Sequence, residues 1–363
     1  MAGAAAGPAP RAVTVEQVAQ ELSRDAGKPD AVLAAELRGM RLTERLGTSR
    51  FEQLSAGLPG EQSKEELRIL ADSAAWLESP ADAISPKPAP SSAELHQMLS
   101  GLVDYVNTMQ HQLPNFLATR ATTAFEDRPQ SDVVDQMGTG SRGYLPLHPV
   151  GWSSSAVAYV DGSETVLKKN AVSKGEGVHG LETAGEFGPF QRITLADATK
   201  GRITWARWEA DIDGIEAVFD YVVPRKSSHY VVQFCCTGGD VTGLVASRIY
   251  FGKPGYHGEI AFDPKNGEIR RITLVADQPP GELVEKAAMV VEYGPVQIAG
   301  RTVIVPTRSI ALLGAHATPP AEGLHMASDL GPLKTYLNDT VFEDYHQFRG
   351  ELRILPGFVP ESK

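Results

Sequence analysis

At 363 residues, 42% of them apolar, the chain has room for two domains with sizeable cores, and 22% charged residues is ordinary for a folded protein, which excludes wholesale disorder. The 34 basic against 45 acidic residues leave a net charge of −11 and argue against a nucleic-acid or anionic-membrane partner, since both need clustered Lys and Arg. No run approaches the ~18 apolar residues of a membrane-spanning helix.

The opening Met1-Ala-Gly-Ala-Ala-Ala-Gly-Pro-Ala-Pro10 lacks the charged and apolar regions of a signal peptide. It is expected to be a flexible arm over residues 1–12, either native or the remnant of a processed, exported chain. Residues 13–78 read as a small helical module of about four helices. Thr14-Val-Glu-Gln17 has the form of a capping box, and Val15, Val18, Ala19 and Leu22 mark one face of the helix it opens. Gly27-Lys-Pro29 stops that helix, and Asp30 is placed to cap the next. Ser63-Lys-Glu-Glu66 is placed to cap a further helix with Leu67, Leu70, Ala71, Ala74 and Leu77 as its buried stripe.

Pro80, Pro86, Pro88 and Pro90 among Ala and Ser make residues 79–91 an extended, semi-rigid linker. Ser91-Ser-Ala-Glu94 then caps a longer amphipathic helix. Its Leu95, Met98, Leu99, Leu102, Val103, Val106 and Met109 recur at helical spacing, and it ends before Pro114.

Residues 92–356 form the second domain, followed by a tail at 357–363. Eleven strands are expected, near 115–127, 152–160, 164–172, 202–211, 215–223, 229–236, 257–263, 268–276, 287–294, 301–313 and 341–354, with a helical interruption over 182–198 and a loop or short helix over 314–336. Asp161-Gly162, Asp213-Gly214, Asn266-Gly267 and Ala299-Gly300 supply the turns. In the clearest hairpin, Pro264 presets φ and Gly267 closes the turn between two alternating segments. The fold class is α+β: a curved antiparallel half-barrel sheet with a plugging helix, preceded by a small helical bundle.

Signals for catalysis are weak. Gly138-Thr-Gly-Ser-Arg-Gly143 and Gly175-Glu-Gly-Val-His-Gly180 match a dinucleotide-loop pattern, but neither sits in a βαβ unit, so both read as flexible loops. His257-Gly-Glu259 has zinc-deaminase spacing without the accompanying cysteine motif. His229, His316, His325 and His346 show no ligand spacing. Glu209, Asp211, Asp213 and Glu216 surround a hairpin turn and read as turn chemistry and solubility. Lys168-Lys169 and Arg270-Arg271 read as solvated strand positions. Adjacent Cys235 and Cys236 point to opposite faces of a strand, as small hydrophobes or as a vicinal disulfide. No catalytic residue, metal site or cofactor is expected.

Aromatic residues carry the stronger pattern. Trp205, Phe219, Tyr221, Tyr230, Phe234, Phe262 and Tyr293 fall on successive strands. Ala217, Phe219, Tyr221 and Val223 share one face, as do Tyr230, Val232 and Phe234, whereas Ile203 and Trp205 are expected opposite Trp208. Two arrangements fit: an ordinary sheet core capped by the helix of 95–111, or an incompletely filled trough that accepts a lipid or acyl chain on those seven aromatics.

Gly185-Glu-Phe-Gly188, Tyr256-His-Gly-Glu-Ile-Ala-Phe-Asp-Pro264, Val291-Glu-Tyr-Gly-Pro-Val296 and Asp344-Tyr-His-Gln-Phe-Arg349 resemble segments of uncharacterised exported bacterial proteins with the LolA/LolB-like, outer-membrane lipoprotein-carrier fold. Leu42-Thr-Glu-Arg-Leu46 and Leu70-Ala-Asp-Ser-Ala-Ala-Trp-Leu77 resemble the amino-terminal unit of the same group. The resemblance implies an eleven-stranded half-barrel whose mouth is plugged by helices, in a periplasmic or surface protein that shields an apolar ligand. The chain has no lipobox cysteine, so lipoprotein trafficking and individual site residues do not follow. The function expected first is therefore non-enzymatic binding of a hydrophobic ligand. An envelope module that docks another protein comes second, and a hydrolase with an unrecognised site third.

Overall fold

The computed structural model describes residues 10–129, 131–135, 138–173, 181, 183–211, 214–235, 249–316 and 332–347. The helical module is built from β1 (Arg11–Val13), α1 (Val15–Arg24), α2 (Asp30–Arg38), β2 (Met40–Leu42), α3 (Thr48–Ala56) and α4 (Glu61–Asp72). Thr14 and Gln17 form the anticipated capping box on α1. Arg11 and Ala12, expected in the arm, pair in parallel with Met40 and Arg41.

Two of the expected caps are reassigned. Pro29 is the N-cap of α2, and Asp30 begins that helix while its carboxylate accepts from the backbone N–H groups of Gln62 and Ser63 at the start of α4. Gly60 at the N-cap of α4 has no side chain to do this, so a residue 32 positions away satisfies the orphan donors. Ser63 lies inside the first turn and donates to Asp30 instead of capping the helix.

Residues 79–91 run along the edge of the large sheet. Their one 3-10 turn, Ala81–Ala83, is followed by a bridge from Ile84 to Glu209 and a bond from the Ser85 N–H to the Trp208 carbonyl. Ser91 and Glu94 form the expected capping box on α5 (Ser92–Gln112).

The strands that follow are β3 (Phe116–Arg128), β4 (Ser131–Asp135), β5 (Gly138–Arg142), β6 (Leu145–Val160) and β7 (Ser163–Ser173); α6 (Pro189–Ala198) intervenes before β8 (Arg202–Asp211) and β9 (Gly214–Val223). Next come β10 (Val232–Cys235), β11 (Ile249–Gly252), β12 (Gly255–Phe262), β13 (Ile269–Asp277), β14 (Val284–Ile298), β15 (Arg301–His316) and β16 (Leu333–Gln347). Ten of them make one curved, open antiparallel sheet in the order β7-β6-β3-β16-β15-β14-β13-β12-β9-β8. Asp161 and Gly162, at φ 50° and 82°, turn β6 tightly into β7.

Four expectations change. The segment 229–236 is not a member of this sheet: β10 pairs with β11 in a separate ribbon. That ribbon buries Val232 against Ala276, Val284, Leu313 and Tyr336 by lying across the sheet's face. Gly138-Thr-Gly-Ser-Arg142 is a strand paired with β4 rather than a loop. The last strand begins at Leu333, inside the region expected to be loop. A bulge between Trp205 and Arg207 turns Trp208 onto the same face as Trp205, where the two rings lie 4.7 Å apart. Gly175–Gly180, Asp213, Cys236, His325 and the tail fall outside the described residues, as do the side chains of Lys168, Lys169 and Cys235.

Candidate functional site

Alternation gives the sheet an inner face, covered by α5 and α6, and an outer face, on which the helical module sits. On the inner face Met98, Leu102 and Val106 of α5 and Phe190, Leu195 and Ala198 of α6 pack against Phe219, Tyr221, Tyr256, Ile260, Phe262, Ile272, Leu274, Met289, Val291 and Tyr293. Six of the seven expected ligand contacts come together here. Phe219, Tyr221, Phe262 and Tyr293 are buried, with Trp205 and Tyr230 partly buried beside them. Phe234 belongs to the neighbouring cluster under the β10–β11 ribbon, its ring 5.9 Å from that of Tyr336. Burial pushes the hydroxyl of Tyr230 up to about 12 and that of Tyr221 well above its ordinary value, so both stay neutral. The Tyr221 hydroxyl donates to the Thr273 carbonyl at 2.6 Å.

The two helices on this face are held differently. Asp197 of α6 accepts from the Tyr256 hydroxyl at 2.9 Å and the His229 N–H at 2.7 Å, and meets the His229 ring at 2.6 Å. In the loop before α6, Arg120 donates to Glu186, and Glu164 accepts from the N–H groups of Gly185 and Phe187. Burial, followed by the neighbouring Glu186 carboxylate, pushes Glu164 up to about 7. Phe187 is wedged between the rings of Phe116 and Phe342. By contrast, α5 makes no hydrogen bond or salt bridge to the sheet among the described residues. At Gly101 the helix comes so near the sheet that its carbonyl would stand 2.5 Å from a Cβ placed on Gly267 in the β12–β13 turn. Only glycine fits there, at φ 76°.

The outer face carries a buried ionic network that the sequence did not announce. Arg45, between β2 and α3, pairs with Glu209 of β8, and both bond the Ser79 hydroxyl at 2.7 Å. Arg271 reaches both oxygens of Glu209 at 3.3 Å, while Arg207 forks onto Glu259 at 2.7 and 2.9 Å. Burial alone would raise Glu209, but Arg271 and Arg45 hold it well below the usual carboxylate range. Nearby, Arg308 joins Asp72 of α4 at 2.5 Å to Asp339 at 2.8 Å. Burial, with Asp339 adding to it, pushes Asp72 up to about 8 despite that arginine. An apolar layer of Ile69 and Ala75 against Phe125, Val290, Ile310 and Leu337 completes the contact.

Glu209 and Glu216 are therefore buried rather than solvating a turn, and Arg271 is a core cation rather than a solvated strand position. Sequence reasoning missed Arg45, Ser79 and Arg207, and noted Glu259 only for its spacing from His257, because nothing local marks the network: Arg45 and Glu209 are 164 residues apart. His257 and Glu259 do not act together, since His257 bonds Asp277 at 2.7 Å while Glu259 binds Arg207. No group of three or more metal-ligating side chains occurs among the described residues. A cleft of about 340 Å³ opens between the module, the 79–91 strap and the outer face, next to this network.

No family model matches the chain, and no curated protein matches it. Among solved structures it is similar to the crystal structure of a LolA superfamily protein from Nitrosomonas europaea, over 70% of this chain and 96% of that one, at 9% identity and a TM-score of 0.25. At that TM-score the likeness carries no argument about activity. No helix among the described residues is long and apolar enough to cross a membrane.

Proposed function

We propose that the protein is a non-enzymatic, exported binding protein that takes a lipid or acyl chain between the inner face of its open sheet and α5. One observation carries this reading: α5 packs on the inner-face core through apolar side chains and, among the described residues, makes no hydrogen bond or salt bridge to the sheet. Dispersion and hydrophobic contacts are non-directional, so an alkyl chain can replace them without leaving a buried polar group unpaired. The helix is also bounded by the Pro-rich strap on one side and Leu113-Pro114 on the other, which suits a cover that swings as a unit. Meanwhile α6, tied through Asp197 and the Glu186 loop, stays as a fixed plug. Trp205, Phe219, Tyr221, Tyr230, Phe262 and Tyr293 are then the ligand contacts, with Phe234 at the far end.

Uptake of a fluorescent fatty acid tests the proposal. Tyr221→Ala and Phe234→Ala should weaken uptake at unchanged fold, and unchanged uptake in both would end it. A second reading, an envelope module that docks another protein, is favoured by Trp152 and Val341. These lie on the outer face beyond the helical module, diagonal across β3, and remain 48% and 41% exposed. Native mass spectrometry of the protein from its own host separates the two, because a co-purifying lipid supports the first and a co-purifying protein the second.

A further inference from the structure

We infer that the acyl ligand carries an uncharged head group bearing hydroxyls, of the monoacylglycerol kind, held where α5, α6 and β14 meet by Tyr105, Glu186, Gln191 and Tyr293. This rests on the reading above, in which a chain lies between the inner face and α5. Four polar atoms at that junction are buried without a hydrogen-bond partner among the described residues: the hydroxyls of Tyr105 and Tyr293, Glu186 Oε2 and Gln191 Oε1. They belong together, since the Tyr293 hydroxyl has the Gln191 amide beside it and lies within the field of Glu186 and Tyr105. Glu186, Gln191 and Tyr293 are 0%, 1% and 5% exposed. An unpaired polar atom at that depth is costly, and four in one place suit the polar atoms of a ligand.

The chemistry of the head follows from which atoms are free and which charges are spent. Glu186 Oε2 and Gln191 Oε1 are acceptors and need donors, whereas the two tyrosine hydroxyls can donate or accept. Glu186 Oε1 already takes Arg120 at 3.1 Å and the Thr183 hydroxyl at 2.5 Å, so its charge is balanced. An ammonium head would therefore be a surplus buried cation. A carboxylate head brings no donor and sets an anion against Glu186. Glu164 adds to that repulsion, and its own carboxylate is turned to the N–H groups of Gly185 and Phe187. Adjacent hydroxyls supply donors and acceptors without charge. The course of β14 orients the chain: Val284 packs with Phe234 at one end, and Tyr293 lies well along the same strand. Head and tail are thus at opposite ends of the inner face.

The test is titration of the full-length protein at neutral pH with monododecanoylglycerol, methyl dodecanoate, dodecanoate and dodecylammonium, followed by tryptophan emission. The glycerol ester should bind at least about tenfold more tightly than each of the other three. Gln191→Leu and Tyr105→Phe each remove polar atoms at similar bulk. Each should weaken the glycerol ester about tenfold and leave the methyl ester unchanged, whereas a merely structural role would move both ligands together. Should circular dichroism show that Gln191→Leu disturbs the fold, Tyr105→Phe, at a partly exposed position of α5, carries the comparison. No preference for the glycerol ester over any one of the others, or variants that shift both esters alike, would overturn the head-group assignment and leave chain binding standing. Binding of none of the four would end both.

Discussion

On the outer face of the sheet the helical module is joined by two sets of buried ion pairs, Arg45, Arg207 and Arg271 with Glu209 and Glu259, and Arg308 with Asp72 and Asp339. On the inner face α5 is joined by Met98, Leu102, Val106 and their partly buried neighbours, with no polar tie among the described residues. Both covers bury apolar surface, but they fail differently. A buried ion pair adds little net stability over an apolar equivalent, yet it admits only one arrangement, because any displacement strands a charge. An apolar interface loses free energy in proportion to the area exposed and tolerates a change of partner. On the proposed reading the module is the fixed cover and α5 the one that moves.

The largest effect should come from Glu209→Gln, which leaves Arg45 buried without its carboxylate partner and Arg271 with Glu259 at 3.6 Å. Chemical denaturation should show a loss of about 3–5 kcal/mol. Replacing Arg45 by Met in the same chain should recover part of it, and the absence of any recovery would mean that the network is not the tie between module and sheet. Leu102→Ala should cost about 2–5 kcal/mol as a core truncation. Hydrogen exchange should then show faster opening of α5 with the module's protection unchanged; equal loosening of both would erase the distinction drawn above.

Acidity should act on the two ionic networks of the outer face in opposite directions. Asp72 is pushed from 3.8 to about 8, so its contribution to stability is complete below about pH 4 and is lost as pH rises toward 8. Glu209 is lowered, so its contribution is present above its ordinary value of 4.5 and is lost as pH falls below it. In melting temperature measured against pH, Asp72→Asn should flatten the decline between 4 and 8 and leave the acid limb intact. Last and smallest, Trp208→Phe removes the indole donation to the Pro88 carbonyl at 2.9 Å, and Ser91→Ala removes the cap of α5. Each should cost about 1 kcal/mol. Trp208→Phe should loosen the strap selectively, as read by proteolysis between Pro80 and Pro90.

Local signals were legible because their physics is local. The capping boxes at Thr14 and Ser91 and the Asp161-Gly162 turn each act within four residues. The alternation that puts Ala217, Phe219, Tyr221 and Val223 on one face needs only one strand, and it survives into the core. Trp208 defeated the same rule because a single bulged residue reverses every side chain beyond it. Asp30 shows the limit of cap spacing, since it serves α4, which chain folding brings to it, rather than α2, which it begins.

Amino-acid order alone thus settled the class of the molecule: helices first, a proline-rich strap, a capped amphipathic helix, then a long antiparallel sheet with an aromatic face. Which charges would be interior was decided only in three dimensions. Glu209, Glu216 and Arg271 carry the composition of a surface hairpin and become buried because the helical module settles on that face and supplies Arg45. The cost of burying a charge depends on whether a counter-charge stands within a few ångströms, and that distance is set by chain segments more than a hundred residues apart.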